Sequence, residues 1–167
     1  MSSGGPTCIS WRWSYNSSMN NATESARVLV AEDNPQGAEL IEDFLEGTGW
    51  TVRRTADGEE TLAAVRDWKP DVLLLDVMMP KLSGFEVCKR LRHDPVTRDL
   101  PVLMITALDQ PSDIDRAVDA GTNDFMTKPI HKIDLVSRVR ALLESRGHAT
   151  DVDRTLKYLE SVGQSAQ

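Results

Sequence analysis

The chain has 167 residues, 40% of them hydrophobic and 27% charged, the size and balance of one soluble domain with a sizeable core. A formal net charge of −7 argues against direct nucleic-acid binding, because phosphate backbones call for clustered Lys and Arg. Two cysteines, Cys8 and Cys88, cannot make a disulfide framework, and no apolar run reaches the roughly 18 residues of a membrane span, so the expected location is a reducing cytoplasm.

Residues 1–26, rich in Ser, Asn and Gly and without periodicity, read as a disordered tail. Within it "WRWSY" is a candidate docking element, and Met19 an alternative start. From Arg27 the pattern becomes regular. "RVLVAE" (27–32) predicts a strand, and Asn34 with Pro35 opens a helix whose expected buried stripe is Leu40, Ile41, Phe44 and Leu45. "WTVRRT" (50–55) is a second strand and "GEETLAAVRDW" (58–68) a second helix. "DVLLLD" (71–76) is a third strand, after which Ser83 caps a helix carrying Phe85, Cys88 and Leu91. "PVLMIT" (101–106) is followed by the helix 111–121 with a glycine at its end. "DFMT" (124–127) precedes a long helix from Ile130 to Arg146, with Leu135, Val136, Val139 and Leu142 on one face. Five alternating strands and helices predict an α/β fold with a parallel sheet and helices on both faces.

In such sheets ligands bind beyond the carboxyl ends of the strands. The residues placed there are Glu32 and Asp33 after strand one, Asp76 after strand three, Thr106 after strand four, and Lys128-Pro129 after strand five. Singly, each has an ordinary explanation as a cap, a turn or a loop residue. Together, three carboxylates repel one another unless a hard cation joins them, and oxygen ligands with water suit Mg²⁺. Lys128 adds a fixed positive charge, so the edge suits an incoming phosphoryl group. A carboxylate can itself be the nucleophile, giving an acyl phosphate. Asp76, central and single, is the candidate; Glu32 and Asp33 are better metal holders. Thr106 can donate to a phosphoryl oxygen, and Ala107 is small enough to leave room.

These motifs, "AEDN", "LLLDVMMPKLSGFEV", "PVLMITA" and "GTNDFMTKPI", resemble the response-regulator receiver domains of two-component signalling across residues 27–146. The resemblance implies a flavodoxin-like, three-layer α/β/α domain with a doubly wound sheet of order 2-1-3-4-5. It implies phosphorylation of Asp76 by a histidine kinase or histidine phosphotransfer protein. Mg²⁺ would be held by Asp33, Asp76 and the carbonyl of Met78, with Glu32 acting through water. Lys128–Pro129 would be cis. Phe125 would swing inward when Thr106 moves, presenting a changed helix 4/strand 5/helix 5 surface to a downstream protein effector.

The positions two beyond Asp76 and Thr106 are Met78 and Leu108, neither able to orient an attacking water, which points to slow self-dephosphorylation; the chain is expected to be a phosphoacceptor and not an enzyme. Residues 147–167 read as a linker and an amphipathic helix bearing Val152, Leu156, Leu159 and Val162, either covering the domain or pairing with a partner or a second copy. So short an extension favours a stand-alone receiver; a receiver cut from a longer regulator with a DNA-binding or cyclase domain is the alternative. An aspartyl-nucleophile phosphatase would carry its Asp-x-Asp after the first strand, where this chain has Glu-Asp-Asn. A module that only binds partners is the third reading. The histidines 93, 131 and 148 are assigned no role.

Overall fold

Every residue from Val72 to Asp76 is buried, which makes this strand the middle of the molecule. The computed structural model describes residues 25–108, 110–146 and Leu159, so residues 1–24 of the tail expected over 1–26, its "WRWSY" patch and all but Leu159 of the expected C-terminal helix lie outside the described residues. Five strands, β1 (Arg27–Ala31), β2 (Thr51–Thr55), β3 (Val72–Asp76), β4 (Val102–Thr106) and β5 (Asp124–Thr127), pair in parallel in the order β2-β1-β3-β4-β5. The helices are α1 (Pro35–Leu45), α2 (Gly58–Trp68), α3 (Gly84–His93), α4 (Pro111–Ala120) and α5 (Lys132–Ser145).

Successive side chains of a strand point to opposite faces, and here both faces are covered. Leu29, Leu73, Leu75 and Met104 pack with Ala64, Val65, Phe85, Cys88, Leu91 and Ala117, which belong to α2, α3 and α4. Val28, Val30, Leu74, Leu103 and Ile105 pack with Ile41, Leu45, Leu135, Val139 and Leu142, from α1 and α5. The apolar runs of β1, β3 and β4 are continuous because neither face meets water. Burial also pushes the Cys88 thiol up, away from the reactive thiolate.

Local chemistry sets the helix starts. The Asn34 side chain accepts from the amides of Gln36 and Gly37, with Pro35 just inside. Asp57 accepts from Glu60 N, and Ser83 and Glu86 form a reciprocal capping box. Gly121 ends α4 at φ 87, a left-handed position that suits glycine.

Four expectations shift. Leu40 is not in the buried stripe of α1: it is 44% exposed, and Ala38 takes its place, because positions 38, 41 and 45 share one helical face while 40 lies about 100° from 41. Phe44 and Val136 are only partly buried. The last helix runs Lys132–Ser145, not from Ile130 to Arg146. The ordered sheet reaches back to Ala26, which is buried and whose carbonyl accepts from Thr51 N.

The start of α3 is pressed onto the end of β3. The Gly84 amide donates to Val77 O at 2.9 Å, and a Cβ on Gly84 would lie 2.3 Å from the Asp76 carbonyl oxygen and 2.8 Å from Val77 Cα. Those are backbone atoms, which cannot rotate away. Gly84→Ala is therefore expected to lose about 1–3 kcal/mol of stability in urea unfolding, an overpacking cost; an unchanged midpoint would show that the two backbones are less closely opposed.

Candidate functional site

The strand order reverses between β1 and β3, and the polar side chains gather at that crevice. β1 ends at Ala31 and delivers Glu32, buried to 4% exposure, and Asp33, which is exposed. β3 delivers Asp76 at 5% exposure. Oxygen atoms of Glu32, Asp33 and Asp76 lie within 4.8 Å of one another.

Lys128 arrives from the end of β5 and binds two of these acids. Its Nζ donates to Glu32 Oε2 at 2.7 Å and to Asp76 Oδ2 at 3.0 Å. The backbone puts it there: Lys128 N donates to Thr106 O at 2.8 Å, and the Lys128–Pro129 peptide is cis. Burial raises the Glu32 pKa and the nearby Asp76 raises it further, against the lowering effect of Lys128. Burial by itself would lower Lys128, but its hydrogen bonds to Glu32 and Asp76 outweigh this and leave its pKa raised.

The remaining atoms of the two buried acids are held as well. Asn34 N donates to Glu32 Oε1 at 3.2 Å, and Met78 N donates to Asp76 Oδ1 at 3.1 Å. The Met78 side chain stands 62% exposed at the rim. Thr106 is fully buried on β4, one residue beyond Ile105, the residue paired with Asp76. Its Oγ1 accepts from Leu108 N at 3.2 Å, and accepting does not use its own proton. Ala107 beside it is exposed, Leu108 half-buried. Phe125 is half-buried and packs on the α2/α3/α4 side of the core.

The structure thus brings Glu32, Asp33, Asp76 and Lys128 into one cluster, with Thr106 on the adjoining strand end. It also shows what the sequence reading passed over. Gly37 leaves room for Glu32, since a Cβ there would lie 3.1 Å from its Cδ. Lys81, at φ 67, ties the loop after Asp76 to the start of α2 through Asp57 at 3.1 Å. Neither the room at Gly37 nor the Lys81 tie has a signal in the linear chain, since both are contacts that only folding makes.

Hard carboxylate oxygens this close, one of them open to solvent, fit a small divalent cation such as Mg²⁺. A model of the response regulator receiver domain family matches residues 28–140. The chain belongs to this family. As a receiver domain it is 43% identical over 117 residues to the DNA-binding dual master transcriptional regulator RpaA of Synechocystis sp., covering 70% of this chain and 48% of that protein. It spans about a quarter to a half of the length of the curated relatives it matches. Among solved structures it is similar to the Francisella response regulator 1452 receiver domain (32% identity, TM-score 0.67, covering 72% of this chain and 98% of that one). It also resembles the receiver domain of the sensor histidine kinase PA1611 of Pseudomonas aeruginosa, solved with magnesium in its active-site cleft (27% identity, TM-score 0.67, 71% and 98% covered). The receiver's strand order, 2-1-3-4-5, is the one expected. Among the described residues no helix is long and apolar enough to cross a membrane.

Lys128→Met would leave Glu32 and Asp76 buried side by side without their cation. It is expected to lose about 2–4 kcal/mol at neutral pH, less than a fully buried pair because the ammonium is 29% exposed. A carboxylate whose folded pKa is raised contributes stability below its unfolded value and loses it as pH rises, so the gap to wild type should narrow on acidification to about pH 5. In the wild type, the raised Lys128 contributes stability that is full below the ordinary lysine value of 10.5 and is lost as pH rises through its folded value. Urea titrations across pH check both; a pH-independent gap would contradict the placement of the ammonium.

Proposed function

We propose that this receiver domain accepts a phosphoryl group on Asp76 from a histidine kinase or histidine phosphotransfer protein. The observation that carries the reading is the Lys128 ammonium shared by Glu32 and Asp76, with Asp33 in the same cluster. An Asp76 oxygen attacks phosphorus, the bond to the donor's leaving group breaks, and an acyl phosphate remains. Asp33 and Asp76, the Met78 carbonyl, and Glu32 through water would hold Mg²⁺, which supplies charge neutralisation for the transferred group. Lys128 contacts the new phosphoryl oxygens in place of the free carboxylate, and Thr106 donates its hydroxyl proton to one of them.

The domain handles no external substrate; it promotes its own phosphorylation and loses the group slowly. Met78 and Leu108 flank the site with apolar side chains that cannot align a water. The output is a protein effector or a second copy that reads the surface of α4, β5 and α5, where Phe125 repacks without a phenol hydroxyl. The similarity to RpaA supports a second output, a DNA-binding domain in the same polypeptide, driven by the same modification. Either output is compatible with a phosphodonor of two-component signalling, and we place the domain in the cytoplasm.

Incubation of the purified chain with acetyl phosphate and Mg²⁺ is expected to add one phosphoryl group by intact mass, and none when a chelator is present from the start or in Asp76→Asn. Steady hydrolysis of organic phosphates would favour an enzyme, and no modification would favour a silent binding module. The acyl phosphate should persist well beyond seconds at neutral pH, and Met78→Asn should shorten its life several-fold; loss within seconds in the wild type would overturn the slow-release reading.

A further inference from the structure

We propose that Arg116 couples α4 to the acceptor strand through the ring of Phe85. The contact is specific: the Arg116 guanidinium carbon lies 4.3 Å from the centroid of the Phe85 ring. Phe85 is 4% exposed and is the second residue of α3. Its neighbour Gly84 is the residue seated against the Asp76 carbonyl, with its amide on Val77 O. Asp76, Gly84, Phe85 and Arg116 therefore form an unbroken series of contacts from the carboxylate's own backbone to the middle of α4.

The helix end of that series is also anchored. Arg116 Nη1 stands 3.8 Å from Asp113 Oδ1, and Asp113 is buried and accepts from Gln110 N at the start of the same helix. The guanidinium thus joins the first turn of α4 to a ring on α3. Its side chain is 62% exposed, so the charge is not needed to fill the core. A cation over an aromatic face is favourable even at an exposed site, and its strength depends on distance. The first turn of α3 is seated on the end of β3 with no room even for a Cβ at Gly84, and the Gly84 amide ties it to Val77 O. Any displacement of the β3–α3 junction is therefore carried by the Phe85 ring, where it tightens or loosens its hold on α4. This route runs along the α3 side and does not use Thr106 or Phe125. Arg116 is a positioning residue, not one that touches the phosphoryl group.

The response of α4 to the site rests on the phosphoryl-acceptor reading of Asp76; the tether itself does not. Hydrogen exchange of the full chain, followed by mass spectrometry with and without Mg²⁺ plus beryllium fluoride as the acyl-phosphate mimic, tests both. In Arg116→Gln, exchange across residues 114–120 should become roughly 2- to 5-fold faster without ligand, as expected for loss of one exposed cation–π contact. Exchange in α1 should stay as in the wild type, and the change that the mimic produces in α4 should shrink. Arg116→Lys, which keeps the charge, should restore part of both, while Phe85→Leu should reproduce the loss. Unchanged α4 exchange and an unchanged response in Arg116→Gln overturn the proposal, as does a loss spread over the whole domain. If calorimetry finds no uptake of Mg²⁺ and mimic by the wild type, the acceptor reading fails and the coupling falls with it, a result distinct from uptake with an intact α4 response.

Discussion

One ammonium group holds the end of the sheet together. Lys128 comes from β5, the edge strand of the sheet, yet its Nζ reaches Glu32 after β1 and Asp76 at the end of β3. Two carboxylates at 4% and 5% exposure would repel each other and lack the water that normally solvates them. The lysine supplies the missing charge, and its own burial is compensated by the same two bonds. Because each partner depends on the other two, the crevice is poised: an added cation or phosphoryl group changes the balance for all three at once.

That balance accounts for the polar detail around it. Amides of Asn34 and Met78 take the carboxylate oxygens that Lys128 leaves. Asp33, open to solvent, completes the carboxylate set without adding a third buried charge. The Asp57–Lys81 pair and the contact of Gly84 with Asp76 hold the loop that follows Asp76 from both sides. Close packing makes interiors respond by discrete rearrangement more than by gradual deformation.

The two faces of the sheet then divide the labour. α1 and α5 cover one face, and α2, α3 and α4 the other. α3 and α4 are neighbours on the face that Gly84 and Phe85 enter, so β3 meets α4 by a short path through side chains. Arg92 reinforces the far end of this layer, donating to the carbonyls of Arg98, Leu100 and Gly121 and to Asn123 Oδ1. α4 is thus fastened near its C-terminus by hydrogen bonds and at its middle by the Arg116 contact.

Much of this was legible in the linear chain. The period of the apolar runs, the caps at Asn34 and Ser83, and the glycine after α4 are local signals, since a strand, a helix start or a left-handed turn is decided within a few residues. The acids and the lysine at the strand ends were readable for the same reason: strand ends mark one edge of a parallel sheet. What needed the folded chain was everything set by neighbours distant in sequence. The exposure of Leu40 depends on how α1 is rotated against the sheet, and a change of one residue in the buried face is too small for the pattern to resolve. Gly84 reads as an ordinary residue after a cap until β3 is laid against it. Lys81 on Asp57, Arg116 on Phe85 and the hold of one ammonium on two particular oxygens are distances across the fold, and distances of that kind exist only once the strands have paired.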